Sequence, residues 1–141
     1  MEKGIIKKPI ISNGYENIYI YDTWKVSMLS YLDELKKEEI KYVEAHLETD
    51  EIFYLLSGEC ILIEGIVLDN EVVDFNFISL DKEQIYNVKK GTYHHHILSP
   101  DARVLIIENT NTSDLNSHRI EIDNRKMNKK LKDFYEKMLS N

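Results

Sequence analysis

A chain of 141 residues with 43% hydrophobic and 10% aromatic side chains fits one domain with a substantial core, and it holds no apolar run near the roughly 20 residues that cross a bilayer. The formal charge of −7 offers no electrostatic footprint for nucleic acid or an anionic membrane, and the one basic cluster, residues 125–132, belongs to a helical pattern. Lys7 and Lys8 interrupt what would have to be the apolar core of a signal peptide, and the single cysteine, Cys60, rules out an internal disulfide, so a soluble cytoplasmic protein is expected.

Taken in order, residues 24–28 alternate apolar and polar side chains as a half-buried strand does, whereas the charged stretch 33–39 fits a loop or a helical turn. Residues 51–56 read as a strand ended by Ser57-Gly58. A β-rich run over 60–68 follows, in which Cys60 serves as a small buried hydrophobe, and Asp69-Asn70 is a hairpin turn. In 72–80 the residues Val73, Phe75 and Phe77 alternate with Asp74 and Asn76, which fits a strand with one face in the core. Further strands are expected over 84–88, 93–98 and, after the Ser99-Pro100-Asp101 turn, 104–108. Many short strands with regular punctuation make an antiparallel sandwich or barrel. Beyond the polar segment 109–117, Met127, Leu131, Phe134, Tyr135, Met138 and Leu139 recur at helical spacing, which predicts an amphipathic helix over 125–140 that packs on the sheet or makes a dimer contact.

The chemistry gathers at two places. The first reads Glu44-x-His46-x4-Glu51-x6-Gly58 and the second Gly91-Thr92-Tyr93-His94-His95-His96. Residues two apart on a strand share a face, so an extended 42–46 projects Glu44 and His46 together, and an extended 93–98 does the same for His94 and His96 while His95 points the other way and is inert. Glu51, five positions after His46, has the wrong parity for one continuous strand; a turn at Thr49-Asp50 resets the phase and lets it point back. His46, Glu51 and His94 then form a two-histidine, one-carboxylate set suited to a divalent transition metal, with Glu44 or His96 as a fourth ligand. Against this stands the plainer reading of hydrogen-bonded core histidines and a turn-capping glutamate. Tyr42, Tyr54, Tyr86 and Tyr93 fit core better than pocket, His118 fits the surface, and Gly58 and Gly91 supply turn conformations.

These residues resemble the two motifs of the cupin superfamily over residues 40–110, and the wording of 46–58 and 106–110 resembles a group of small single-domain bacterial cupins of unestablished reaction. By position His46, Glu51 and His94 match the family's ligands. Glu44 occupies the place of a further histidine, Lys89 stands where proline is usual, and Leu98 stands where an asparagine often follows. The resemblance implies a single all-β domain, residues 1–141. Its fold would be an antiparallel double-stranded β-helix, a jelly-roll barrel, carrying a C-terminal helix.

Two functional readings follow. In one, His46, Glu51 and His94 hold Fe, Mn, Zn or Ni, Glu44 or His96 moves protons, and a small polar metabolite that chelates the cation undergoes isomerisation, lyase chemistry or oxygenation. In the other, the barrel binds a small molecule without catalysis, with or without metal. A homodimer is expected in either, with no nucleic acid and no membrane as partner.

Overall fold

The computed structural model describes residues 4–10 and 13–140. Ten strands and one long helix follow in chain order: β1 (Tyr15–Tyr21), β2 (Trp24–Ser30), β3 (Tyr42–His46), β4 (Glu51–Ser57), β5 (Cys60–Leu68), β6 (Glu71–Ser79), β7 (Ile85–Val88), β8 (His94–Leu98), β9 (Arg103–Asn109), β10 (Ser117–Glu121) and α1 (Asn124–Leu139). The strands form two five-stranded sheets, ordered β1-β2-β9-β4-β7 and β10-β3-β8-β5-β6. Every registered pairing is antiparallel. β1, not singled out by the sequence, pairs along β2, and the polar segment ends in β10, which pairs along β3. The unassigned charged stretch forms two single turns of 3-10 helix, Asp33–Leu35 and Lys37–Glu39. Among the described residues no helix is long and apolar enough to cross a membrane.

Two apolar layers hold the fold. Leu29, Phe53, Leu55, Cys60, Leu62, Leu98, Val104 and Ile106 pack together between the sheets, and the Cys60 thiol, buried among them, is pushed up to about 12. On the outer face of the second sheet Val43, Ile63 and Phe75 pack with Ile120 and Met127. That face is what α1 covers. Its N-terminus is capped by Asp123, whose carboxylate accepts from the Arg125 and Lys126 amides, and its Met127 and Leu131 are fully buried. Each contributes about 2 kcal/mol through the apolar surface it removes from water. Phe134 adds a ring contact with Phe77, 5.7 Å between centroids, so the first half of the helical stripe is packed; Tyr135, Met138 and Leu139 toward its end stay exposed.

Two turn glycines sit in the left-handed region but under different constraints. A Cβ on Gly58, φ +70°, would lie 2.6 Å from the Ala102 backbone, whereas one on Gly91, φ +83°, would meet nothing within 4 Å. Gly58→Ala is therefore expected to lose roughly 2–4 kcal/mol, strain and collision together, and Gly91→Ala only about 1 kcal/mol of strain. Denaturant unfolding that gave equal losses for the two would contradict this packing.

Candidate metal centre

The inward-facing residues change character along the strands. On β2 the sequence runs Lys25, Ser27, Leu29; on β4 Glu51, Phe53, Leu55; on β9, in the opposite chain direction, Glu108, Ile106, Val104; on β8 His94, His96, Leu98. The pairings Lys25↔Glu108 and Leu29↔Val104 keep charged with charged and apolar with apolar between β2 and β9, with Ser27↔Ile106 at the change between them, and Phe53↔Ile106 and Leu55↔Val104 continue the apolar part to β4. One end of the space between the sheets is thus apolar and the other ionisable. At the ionisable end lies a cavity of about 610 Å³ bordered by Lys25, Glu44, His46, Glu51, His94 and Arg119 among others.

Residues of β3, β4 and β8 meet there because the turns are tied to one another. The Gly91 amide donates to the His46 carbonyl (2.8 Å), which fastens the turn before β8 to the end of β3. Asp50, in the turn before β4, accepts from the Lys90 amide (2.8 Å), from Lys89 Nζ (2.9 Å) and from Asn87 Nδ2 (3.1 Å). Glu51 and His46 face the same interior although five positions separate them, so the turn does restore the phase. One ligand atom from each of His46, Glu51 and His94 lies within 4.8 Å of the others. His94 Nε2 is 2.8 Å and His46 Nε2 3.4 Å from Glu51 Oε1.

The outer nitrogens fix how these rings present themselves. His94 Nδ1 lies 2.9 Å from the Thr92 carbonyl, which only accepts, so Nδ1 carries a proton. His46 Nδ1 lies 2.8 Å from Ser117 Oγ, whose own proton goes to the Ser113 carbonyl at 2.7 Å, so Nδ1 donates here too. In the neutral imidazoles both Nε2 lone pairs then point inward, the tautomer in which liganding histidines are held. Protonated at Nε2 as well, the same rings become imidazolium donors to Glu51; Glu51 is buried, which favours its acid form, yet hydrogen bonds from His46 and His94 in that state and their positive charge hold it below the ordinary carboxylate range. His46 is shifted the opposite way: burial pulls it down, but its bond to Glu51 and the carboxylates of Glu51, Glu108 and Glu44 raise it above an ordinary histidine.

The other expected residues fall elsewhere. Glu44 shares the inward face with His46 but is ion-paired with Arg119 Nε, and its nearer oxygen is 4.0 Å from His46 Nδ1, the nitrogen turned away from the cluster. His96 faces the interior with its ring 6.0 Å from that of Phe53; its Nδ1 is buried without a partner, and burial holds it well below an ordinary histidine. His95, expected to point outward, is not exposed. It is buried, packs 4.9 Å from the Tyr42 ring, and accepts the His96 amide on Nδ1; burial lowers it to about 4. Only Glu44↔His94 joins β3 to β8, so the sheet has opened beyond that pair. Tyr42 borders the cavity while Tyr86 and Tyr93 pack against the two cores, and His118 bonds to the Tyr93 hydroxyl at 2.7 Å.

Four participants were not anticipated: Glu108, Lys25, Tyr15 and Arg119. Glu108 Oε1 accepts from the Tyr15 hydroxyl at 3.0 Å and lies 3.7 Å from Lys25 Nζ, while Oε2 is 4.0 Å from His46 Nε2. Burial first, then the neighbouring Glu51 carboxylate, push Glu108 up to about 7. Its signal in the sequence is a carboxylate in register with Val104 and Ile106.

No family model matches the sequence, and no curated protein does. Among solved structures the chain is similar to a Streptomyces Pac13 variant with uridine, at 11% identity, covering 82% of this chain and 87% of that one with a TM-score of 0.55. A second likeness is to Pac13 described as a nucleoside dehydratase, at 10% identity, 76% and 77% coverage and a TM-score of 0.53. A third is to the TDP-fucose-3,4-ketoisomerase WlaRA from Campylobacter jejuni, at 18% identity, 70% and 68% coverage and a TM-score of 0.51. These likenesses are of fold.

Asp50 provides a test of the tie between the turns. The Lys90 amide, Lys89 and Asn87 lower its carboxyl from 3.8 to about 2. A depressed carboxyl contributes stability above its unfolded value and loses it as pH falls through the folded one. The stability gap between wild type and Asp50→Asn is therefore expected to be full at neutral pH and to close between about pH 4 and about pH 2. Urea midpoints that kept a constant gap across that window would rule out the ionised Asp50 as the fastening.

Proposed function

This chain has the cupin fold, and we propose that it holds a divalent transition metal through His46, Glu51 and His94 and takes a small polar, oxygen-rich metabolite into the adjoining cavity. The observation that carries the proposal is the orientation of the two imidazoles, each locked by an acceptor at Nδ1 with Nε2 turned toward one carboxylate. Two imidazole nitrogens and a carboxylate oxygen fit Fe, Mn, Zn or Ni, and availability decides among them. When bound, such an ion supplies Lewis-acid polarisation of a ligand oxygen or activation of oxygen. The cavity volume falls within the usual range for small-molecule sites. Arg119 and Lys25 offer donors to substrate oxygens, and Leu29 and Ile106 form an apolar floor. The nucleoside and sugar-nucleotide chemistry in the names of the structural neighbours supports a polyhydroxylated ligand. Glu44 and His96, both bordering the cavity, are proposed as the groups that exchange protons with it.

One observation favours a second reading. The 2.8 Å contact between His94 Nε2 and Glu51 Oε1 is a full hydrogen bond if His94 is an imidazolium. The same pocket then works without metal, as a binding site or as a proton-transfer site.

Metal content measured after purification without immobilised-metal chromatography, followed by calorimetric titration with Mn²⁺, Fe²⁺, Zn²⁺ and Ni²⁺, separates the two. Under the metal reading His46→Ala, Glu51→Gln and His94→Ala each lower affinity about a hundredfold or more, and His95→Ala leaves it near wild type. Absence of any bound ion together with no thermal shift on adding these ions would leave only the metal-free reading.

The proposal includes a cytoplasmic homodimer, supported by the exposed Ile20, Tyr21 and Trp24 at the β1 edge of the first sheet. Sedimentation is expected to give twice the chain mass, and a monomer at micromolar concentration would sink the pairing.

A further inference from the structure

We infer that the fourth protein ligand of this centre is Glu108 of β9, and that Glu44 is not a ligand. The inference rests on the metal reading and specifies its coordination. A carboxylate at position 44 stands on the wrong side of the His46 ring: its Oε1 faces Nδ1 at 4.0 Å, and Nδ1 is committed to Ser117. Its other oxygen is taken by Arg119. Nothing about Glu44 is turned toward the point where both Nε2 atoms meet Glu51.

Glu108 arrives from the other sheet and on the correct side. Its residue is 7% exposed, its Oε2 lies 4.0 Å from His46 Nε2, and that oxygen is sealed from solvent with no hydrogen-bond donor. A buried carboxylate oxygen left without a donor is costly, and native structures complete such an oxygen with a water, an ion or a ligand. The rest of Glu108 is held firmly. Tyr15 Oη donates to Oε1 at 3.0 Å, Ser27 Oγ lies 2.9 Å from Tyr15 Oη, and Lys25 Nζ approaches Oε1 at 3.7 Å. Three side chains of β1 and β2 therefore aim one oxygen of Glu108 at the centre while satisfying the other. Charge agrees with geometry: the carboxylates of Glu51 and Glu108 neutralise a dication, and Lys25 leaves the loaded pocket with one positive charge for an anionic or strongly polar ligand. Two imidazoles with two carboxylates favour the hard Mn²⁺ and the borderline Fe²⁺ and Zn²⁺ over the soft Cu⁺.

Calorimetric titration of Mn²⁺ and Zn²⁺ into wild type, Glu108→Gln and Glu44→Gln tests the assignment, with circular dichroism checking that each variant is folded. Glu108→Gln is expected to weaken binding at least tenfold, and Glu44→Gln to stay within about threefold of wild type. Glu108→His, which returns a nitrogen donor, is expected to recover Zn²⁺ binding more than Mn²⁺ binding. The reverse pattern, with Glu44→Gln costing as much as His94→Ala and Glu108→Gln costing nothing, overturns the assignment while leaving the metal centre intact. Should Glu108→Gln fail to fold, a tenfold or larger loss in Glu44→Gln alone overturns it. A wild type that binds neither ion removes the centre itself, and the fourth ligand with it.

Discussion

A carboxylate buried at the end of an apolar interior must be compensated, and the compensation of Glu51 organises this molecule. Phe53 and Leu55, two and four residues along the same face of β4, lie in the core between the sheets, so Glu51 continues an apolar ladder into a place where water cannot solvate it. Desolvation alone would keep it protonated. It is ionised because two imidazoles from β3 and β8 are brought to it, and they come only because those strands end where they do. The apolar ladder and the charged terminus are consequently one design: the first fixes the register of the second, since a slip of one residue on any of these strands would exchange inward for outward side chains.

The turns carry more of the site than their composition suggests. The Gly91 amide binds the His46 carbonyl and Asp50 gathers the Lys89-Lys90 turn, so the two short segments that bear the histidines are joined through backbone rather than through the ligands. Such a frame exists before any ion or metabolite arrives, and the entropy of bringing the groups together is met in folding. Lys89 has a role in this frame. Where the resemblance leads one to expect a proline, its ammonium binds Asp50 instead, and the turn is stiffened by an ion pair and an amide bond in place of a ring.

Much of this was legible in the residues themselves. Strand alternation in β6, the many short strands set off by turn residues and the helical stripe of α1 pointed to the class of fold, and the parity argument across Thr49-Asp50 brought His46, Glu51 and His94 to one face. Period-two reasoning failed where both faces of a strand are buried. On β2 the alternation of Trp24, Val26 and Met28 with Lys25 and Ser27 suggests polar residues outside; Lys25 and Ser27 instead face the interior because Glu108 and Tyr15 are there to receive them. His95 failed for a related reason. The opening of β3 from β8 leaves space in which its ring lies against Tyr42, and no local pattern encodes a gap between two strands distant in sequence. Glu108 and Arg119 enter the site through Tyr15, Lys25, His46 and Glu44, all far away in sequence, β9 being read as a plain strand and β10 not at all.

The direction of each imidazole is decided outside the cluster. Thr92 offers a carbonyl and Ser117 an oxygen whose proton is already spent on Ser113, so both rings must donate through Nδ1 and both must turn Nε2 inward. Had Ser117 been free to donate, His46 could have reversed its tautomer and presented an N–H to Glu51. The turn of 3-10 helix at Asp114–Asn116, capped by Ser113, sets the Ser113 carbonyl where that hydroxyl needs it. A short polar loop that looks like a connector between β9 and β10 thereby selects the tautomer of the neutral His46 ring, the one whose inward nitrogen carries a lone pair that a cation can use.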